Sequence, residues 1–259
     1  MTIDGAFRER VLAREFLAGF WLNLGSSVTA EMAGLAGFDW VMLDHEHGPG
    51  SETTILHQLQ AVSATPATCL VRIAANEPPR FKRVLDAGAH GVMVPYVSTA
   101  AEARAAVQAM RYPPRGMRGV AKLTRASSFG ARFDEYFANA HEWLVTLVQI
   151  ETADAVENAA EIAHVEGVDV VFVGPMDLTT SMGIPGQYGD ARFHDALGEV
   201  ADAAQSAGKA AGILLLDPAN LPLVRELGYS VVALGSDGGA VRTGLDLSLQ
   251  TLRGSRPIA

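Results

Sequence analysis

The run Phe38-Asp39-Trp40-Val41-Met42-Leu43 passes directly into Asp44-His45-Glu46-His47-Gly48-Pro49, and this junction sets the pattern of the chain. Its first half is apolar almost throughout, as a strand covered on both faces must be. Its second half is a polar loop closed by Gly-Pro. Working outward, seven further runs of the first kind are found: Leu17 to Leu22, Ala67 to Ile73, Gly91 to Pro95, Trp143 to Ile150, Val168 to Val173, Ala210 to Leu215 and Ser230 to Leu234. Between them lie helix-period segments such as Ala100 to Met110 and Ala153 to His164. Strand and helix in alternation build a parallel sheet from βα units. Gly37, Gly88, Gly167, Gly208 and Gly228 each precede a strand, where a left-handed turn ends the helix before it. The longest interruption, 111–139, keeps helix-like aromatic spacing at Phe133, Tyr136 and Phe137, and no Pro/Ser/Gly-rich linker divides the chain. Eight units in 259 residues predict one α/β domain over residues 1–259, a single (β/α)8 TIM barrel, a fold of about 250 residues. The rival open doubly wound sheet lacks its Gly-x-Gly-x-x-Gly after the first strand.

Composition narrows the function. A hydrophobic fraction of 49% with only 19% charged residues excludes disorder as the main state. Twenty basic against twenty-nine acidic residues give a net charge of −9, the wrong sign for holding phosphate backbones, so no nucleic-acid partner is expected. Cys69 is the only cysteine, which rules out an intramolecular disulfide and Cys-x-x-Cys chemistry; its apolar neighbours predict a buried thiol. With no apolar leader and no run approaching 18 apolar residues, the expectation is a soluble cytoplasmic protein without a membrane partner.

A barrel places its catalytic groups at the C-terminal ends of its strands. Polar residues gather there: Asp44 to His47 after the second run, Arg72 near the end of the third, Gln149-Ile150-Glu151 at the fifth, Gly174-Pro175-Met176-Asp177 after the sixth, and Asp237 after the eighth. Glu151 and Asp177 stand 26 positions apart, one βα unit, and so project from adjacent strands. Two such carboxylates suit a hard divalent cation that keeps waters and takes substrate oxygens. Alternatively, each caps the helix that follows it. His47 is placed to act as a base near neutral pH, or is a loop histidine without a role. A zinc site at His45 and His47 would need a further nitrogen or sulfur ligand that the nearby sequence does not supply. Arg72 brings a permanent charge to the end of a core strand, where it meets either a developing anion or Asp44 in an ion pair. His57, His90, His141, His164 and His194 read as structural.

Together these residues resemble the HpcH/HpaI aldolase family of metal-dependent, class II pyruvate aldolases. The resemblance spans nearly the whole chain. It is carried by Asp44-His45-Glu46-His47-Gly48-Pro49, by Arg111-Tyr112-Pro113-Pro114-Arg115-Gly116-Met117-Arg118-Gly119, by Val148-Gln149-Ile150-Glu151-Thr152 and by Gly174-Pro175-Met176-Asp177-Leu178, in that order. It implies a barrel that binds Mg2+ or Mn2+, with Co2+ as a further candidate, and that makes or breaks a carbon–carbon bond between an aldehyde and a 2-oxo acid such as pyruvate or hydroxypyruvate. Matched by motif, Glu151 and Asp177 fall on the metal carboxylates. Gln149 and the backbone at Met176 and Asp177 fall on the pyruvate contacts, and Arg72 on the group that stabilises the enolate. His47 falls on the base, Asp86 on the carboxylate that raises its basicity, and Glu46 near metal-bound water.

Two positions depart from the family pattern. His45 stands where glycine is common, and a second imidazole beside the mouth would compete as base or touch the acceptor. Met176 replaces a frequent alanine and adds bulk to the pocket. A Schiff-base aldolase would need a lysine at a strand end. Lys82, Lys122 and Lys209 fall in a helix, the long loop and the start of a strand. A malyl-CoA or citramalyl-CoA lyase would share the metal and the enolate but needs a CoA surface to which no block of sequence is devoted, and a silent 2-oxo-acid-binding barrel would have lost His47, Arg72 or a carboxylate. The resemblance further implies a homo-oligomer. Leu245, Leu247, Leu249 and Leu252 pack on a neighbour or close the last helix on the barrel.

Overall fold

A computed structural model describes residues 3–253. The chain opens with α1 (Ala6–Leu12) and then alternates: β1 (Leu17–Leu22), α2 (Ser27–Leu35), β2 (Trp40–Asp44), α3 (Glu52–Val62), β3 (Thr68–Arg72), α4 (Pro78–Asp86), β4 (Gly91–Val94) and α5 (Ala100–Met110). The second half runs α6 (Phe133–Trp143), β5 (Val145–Ile150), α7 (Ala153–Glu157), α8 (Ala159–Ala163), β6 (Val170–Val173), α9 (Pro175–Ser181), α10 (Ala191–Ser206), β7 (Ala210–Leu215), α11 (Leu221–Glu226), β8 (Val231–Ser236) and α12 (Asp237–Arg253). All eight strands are parallel, each pairs with its sequence neighbours, and β8 closes on β1. The expected (β/α)8 barrel is thus formed.

Strand parity builds the interior. Side chains alternate across a strand, and Leu17, Trp21, Trp40, Met42, Leu70, Met93, Leu147, Phe172 and Val231 pack in one cluster inside the barrel, whereas Val41, Leu43, Val71, Val148 and Val171 pack outward beneath the helices. Carrying the inward parity to the strand ends brings Asp44, Arg72 and Gln149 to the top of the same interior. Glycines at the five helix-to-strand turns all have positive φ, from 69° to 103°, as their positions required.

Local differences from the sequence reading have local causes. The segment from Ala153 to His164 is two short helices, because the chain breaks at Asn158, whose side-chain amide donates to the Ser98 carbonyl at 2.9 Å. Trp143 closes α6, so β5 begins at Val145. The motif from Arg111 to Gly119 lies after α5, at the end of the barrel where strands begin. There the Arg118 guanidinium is buried against the rings of Tyr112 and Tyr136.

The last helix stands apart. Only Asp237 of α12 is buried, and Leu245, Leu247 and Leu252 are all exposed, so these leucines do not close the helix on its own barrel. Cys69 is fully buried, and burial raises its thiol pKa. Among the described residues no helix is long and apolar enough to cross a membrane.

Candidate active site

Asp44 organises the C-terminal rim. It ends β2 directly opposite Arg72, which ends β3. The guanidinium donates to Asp44 through Nε at 3.0 Å and Nη2 at 2.6 Å, a forked pairing that fixes its plane. Asp44 also accepts the Trp21 indole N–H at 3.2 Å and the backbone N–H groups of Glu46 and His47 at 3.0 and 3.2 Å. Burial works to raise the Asp44 pKa, but Arg72 and these N–H donors hold it below the ordinary value. The same contacts bend the chain after β2, so that the next two side chains are set by the first.

Glu46 returns toward the rim and meets Arg72 Nη1 at 2.9 Å. His47 Nε2 lies 4.0 Å from the Glu46 carboxylate, with the imidazole largely exposed. Burial raises the Glu46 pKa; Arg72 opposes this, while Asp44 and Asp177 add to it. Arg72 is therefore ion-paired to Asp44, the second of the two alternatives, and it also lines the mouth of the barrel.

Glu151 and Asp177 are not helix caps. Thr152 caps α7 through its own side chain, and Gly174 occupies the N-cap of α9. The Glu151 carboxylate instead accepts the Tyr96 backbone N–H at 2.6 Å and the Gln149 amide at 2.8 Å. Burial pushes its pKa up to about 7, Glu46 and Asp177 push the same way, and the Tyr96 N–H opposes them. Among the described residues no Lys or Arg side chain hydrogen-bonds this carboxyl, and Arg72 acts on it only from a distance. Gly174 is needed here: a Cβ on it would stand 2.5 Å from Glu151 Oε2 and 2.8 Å from the Gln149 amide nitrogen. Gln149 Oε1 is buried without a partner among the described residues. The first-turn N–H groups of Met176 and Asp177 have no acceptor within their helix.

His47, Arg72, Gln149 and Asp177 line a cavity of about 360 Å³, together with Trp21, Phe172, the rest of the segment 173–177, Leu214 and Leu216. The donor set fits a hard divalent ion: two carboxylates, Glu151 buried with a raised pKa and Asp177 partly exposed to the cavity, with room for water or substrate oxygens. Among the described residues no three His, Cys, Asp or Glu side chains are grouped so as to hold a metal ion by themselves.

Two expectations change. Asp86 is not beside His47: it is the last residue of α4, which runs from the top of β3 toward the start of β4, and its carboxylate accepts Arg118 Nη2 at 2.7 Å. Within one chain it cannot raise the basicity of His47. His45, next to the inward Asp44, has the opposite parity and lines a small cavity with Glu52, Ile55, Arg80 and Arg83, away from the mouth. Sequence reasoning missed Tyr96. Its backbone is left-handed, with φ at 51°, which aims its N–H at Glu151, while its hydroxyl donates to Asp177 Oδ1 at 3.3 Å. Its place just past the fourth apolar run was the available signal, but a residue neutral near pH 7 does not stand out among strand-end charges.

Residues 17–243 match the family described as HpcH/HpaI aldolase/citrate lyase. A pyruvate aldolase of Rhizobium etli is 44% identical over 89% of this chain and 91% of its own. A 4-hydroxy-2-oxo-heptane-1,7-dioate aldolase of Salmonella dublin is 40% identical over 91% and 89%. The crystal structure of an HpcH/HpaI aldolase/citrate lyase family protein from Burkholderia cenocepacia superposes with a TM-score of 0.92 at 37% identity, covering 97% of this chain and all of that one. With the barrel, the rim and these likenesses in agreement, the chain belongs to the HpcH/HpaI aldolase/citrate lyase family.

Proposed function

We propose that the protein is a metal-dependent aldolase that removes a methyl proton from pyruvate, or a related 2-oxo acid, and joins the resulting enolate to an aldehyde, with cleavage of a 4-hydroxy-2-oxo acid as the reverse reaction. Family membership makes it a carbon–carbon lyase. The observation that carries the finer reading is that a buried Glu151 and the cavity-lining Asp177 stand at the ends of adjacent strands, on the same rim as the Asp44–Arg72 fork.

Glu151 and Asp177 would hold a divalent ion such as Mg2+ or Mn2+. When bound, that ion withdraws charge from the 2-oxo acid's carbonyl. Gln149 offers its amide, and the N–H groups of Met176 and Asp177 suit a carboxylate at the start of a helix. Arg72, held rigid by Asp44, meets the oxygen on which negative charge develops; such a preset donor contributes about 3–4 kcal/mol. His47 takes the methyl proton, and Glu46 beside it stabilises the imidazolium that results. The enolate carbon then attacks the aldehyde carbonyl carbon, and the new alkoxide receives a proton to become the hydroxyl of the product.

A homo-oligomer belongs to the same reading. The exposed leucines of α12 and the exposed Val28, Met32 and Leu35 of α2 are apolar surfaces that a neighbouring copy would cover. Asp86, bound to Arg118 in its own chain, could serve a His47 only across such an interface.

The test is NMR-monitored exchange of pyruvate methyl protons in D2O with metal-stripped protein, with Mn2+- or Mg2+-loaded protein, and with the Glu151→Ala variant. Exchange that requires both metal and Glu151 supports the proposal. Absence of exchange with any cation in folded protein removes pyruvate as the donor.

A further inference from the structure

Within its own chain the His47 imidazole is not aimed by packing: 64% of the side chain is exposed, and its one ionic contact among the described residues is with Glu46 at 4.0 Å. The backbone of the loop 45–50 must therefore set its position. On the inner side, Asp44 Oδ1 accepts the Glu46 and His47 N–H groups. On the outer side stands His45. Its N–H donates to the Arg72 carbonyl at 2.9 Å, which carries the β2–β3 pairing one residue past the strand. Its ring then enters the crevice between α3 and α4, where the buried Ile55, Ile73 and Val84 and the Glu52–Arg83 pair, 3.3 Å apart, border a cavity of about 30 Å³. The ring Nε2 is buried without a hydrogen-bond partner among the described residues. Gly50 lies so near that a Cβ on it would stand 3.4 Å from that nitrogen. The loop thus leaves from His45 and returns to it at Gly50, with Glu46 and His47 between.

From this geometry we infer that His45 is a positioning residue: its ring, wedged between α3 and α4, holds the outer side of the loop so that His47 faces the cavity. The inference rests on the pyruvate-enolising reading above, in which His47 is the base, and it gives a task to a side chain that stands where glycine is common. A buried nitrogen without a partner stabilises nothing, so the ring holds the loop by its shape and not by a hydrogen bond. Glycine at this position removes the wedge, leaves a void between the two helices and frees the backbone just before Glu46 and His47. A base displaced by about 1 Å loses up to about 10²-fold in rate. The proposed pyruvate contacts, at Gln149, Met176 and Asp177, belong to β5 and α9, so the loss falls on proton transfer and not on binding.

The test compares the full chain with its His45→Gly and His45→Gln variants in two measurements: pyruvate methyl-proton exchange with Mn2+ loaded, and backbone amide hydrogen exchange over residues 44–50 without metal. In His45→Gly, kcat for pyruvate exchange is expected to fall about tenfold while KM and Mn2+ affinity stay within about twofold, and the Glu46 and His47 amides should exchange about tenfold faster. His45→Gln restores a side chain of similar size and should bring kcat back to within about threefold of the wild type. The assignment is overturned if His45→Gly leaves kcat unchanged, even with faster amide exchange, because His45 then only secures the loop. It is also overturned if KM and Mn2+ affinity worsen as much as kcat, which is general loosening, or if His45→Gln is as impaired as His45→Gly. A wild-type protein that exchanges no pyruvate protons overturns the parent reading and this inference with it.

Discussion

At the N-terminal end of the barrel, Asp169 is 1% exposed, yet every need of its carboxylate is met: Oδ1 accepts Arg8 Nε and Nη2 at 3.0 and 2.8 Å, and Oδ2 accepts the Thr146 N–H at 2.9 Å. Asp39 is satisfied in the same way by Arg10 and the Ala18 N–H. At the C-terminal rim, Glu151 is equally buried, but it receives only an N–H and an amide, and it sits among other carboxylates. Buried charge that is fully paired fastens strand starts to the helix crossing beneath them. Buried charge left short of cations stores a demand that a metal and a substrate can meet. Burial alone therefore does not separate a structural carboxylate from a working one; the count of its partners does.

The contrast is sharpest where one charge can be altered without changing its end of the barrel. Arg72→Lys keeps the sign but loses the fork to Asp44, and pyruvate exchange is expected to fall by about 10²–10³ with little change in Tm. A drop in Tm without loss of exchange would assign Arg72 to structure alone. Asp169→Asn should do the reverse, destabilising by about 3 kcal/mol in denaturant unfolding while pyruvate exchange per folded molecule stays the same.

Proton competition gives a smaller effect. With its pKa raised to about 7, Glu151 must release a proton to bind a cation below that pH. Mn2+ affinity, read by EPR or calorimetry, should fall about tenfold per pH unit below about 7 and level off above it. The folded, metal-free state also binds more protons than the unfolded chain between the ordinary carboxylate value and about 7. This group therefore lowers the stability of the metal-free protein as pH rises through that window, and the metal-induced gain in Tm should be larger at pH 8 than at pH 5.5. A pH-independent affinity would mean that Glu151 is already ionised without the metal.

Tyr96→Phe is the mildest change. It removes the hydroxyl donor to Asp177 but leaves the backbone N–H on Glu151, so Mn2+ affinity should shift by no more than about fivefold, with an altered Mn2+ EPR spectrum. An unchanged spectrum would confine the role of Tyr96 to its backbone.

Much of this site was legible from strand parity. Asp44, Arg72 and Gln149 continue the inward positions of Met42, Leu70 and Leu147, and an apolar run ending in such a residue announces both the strand and the rim. Asp86 and His45 were not legible in the same way. Asp86 lies on a helix, and its partner, Arg118, comes from a loop 32 positions away. His45 was close enough in sequence to count as part of the mouth, but one residue of strand period turned it away.

The sequence by itself determined the eight βα units, their order and the set of polar groups at the strand ends, because apolar periodicity and the two-residue alternation of a strand are local properties. Only the tertiary structure decided which carboxylates are satisfied and which are left in want of a cation. That depends on donors brought from distant segments, such as Arg8 to Asp169 and Tyr96 to Glu151, whose meeting is fixed by the closing of the barrel and not by any neighbour in the chain.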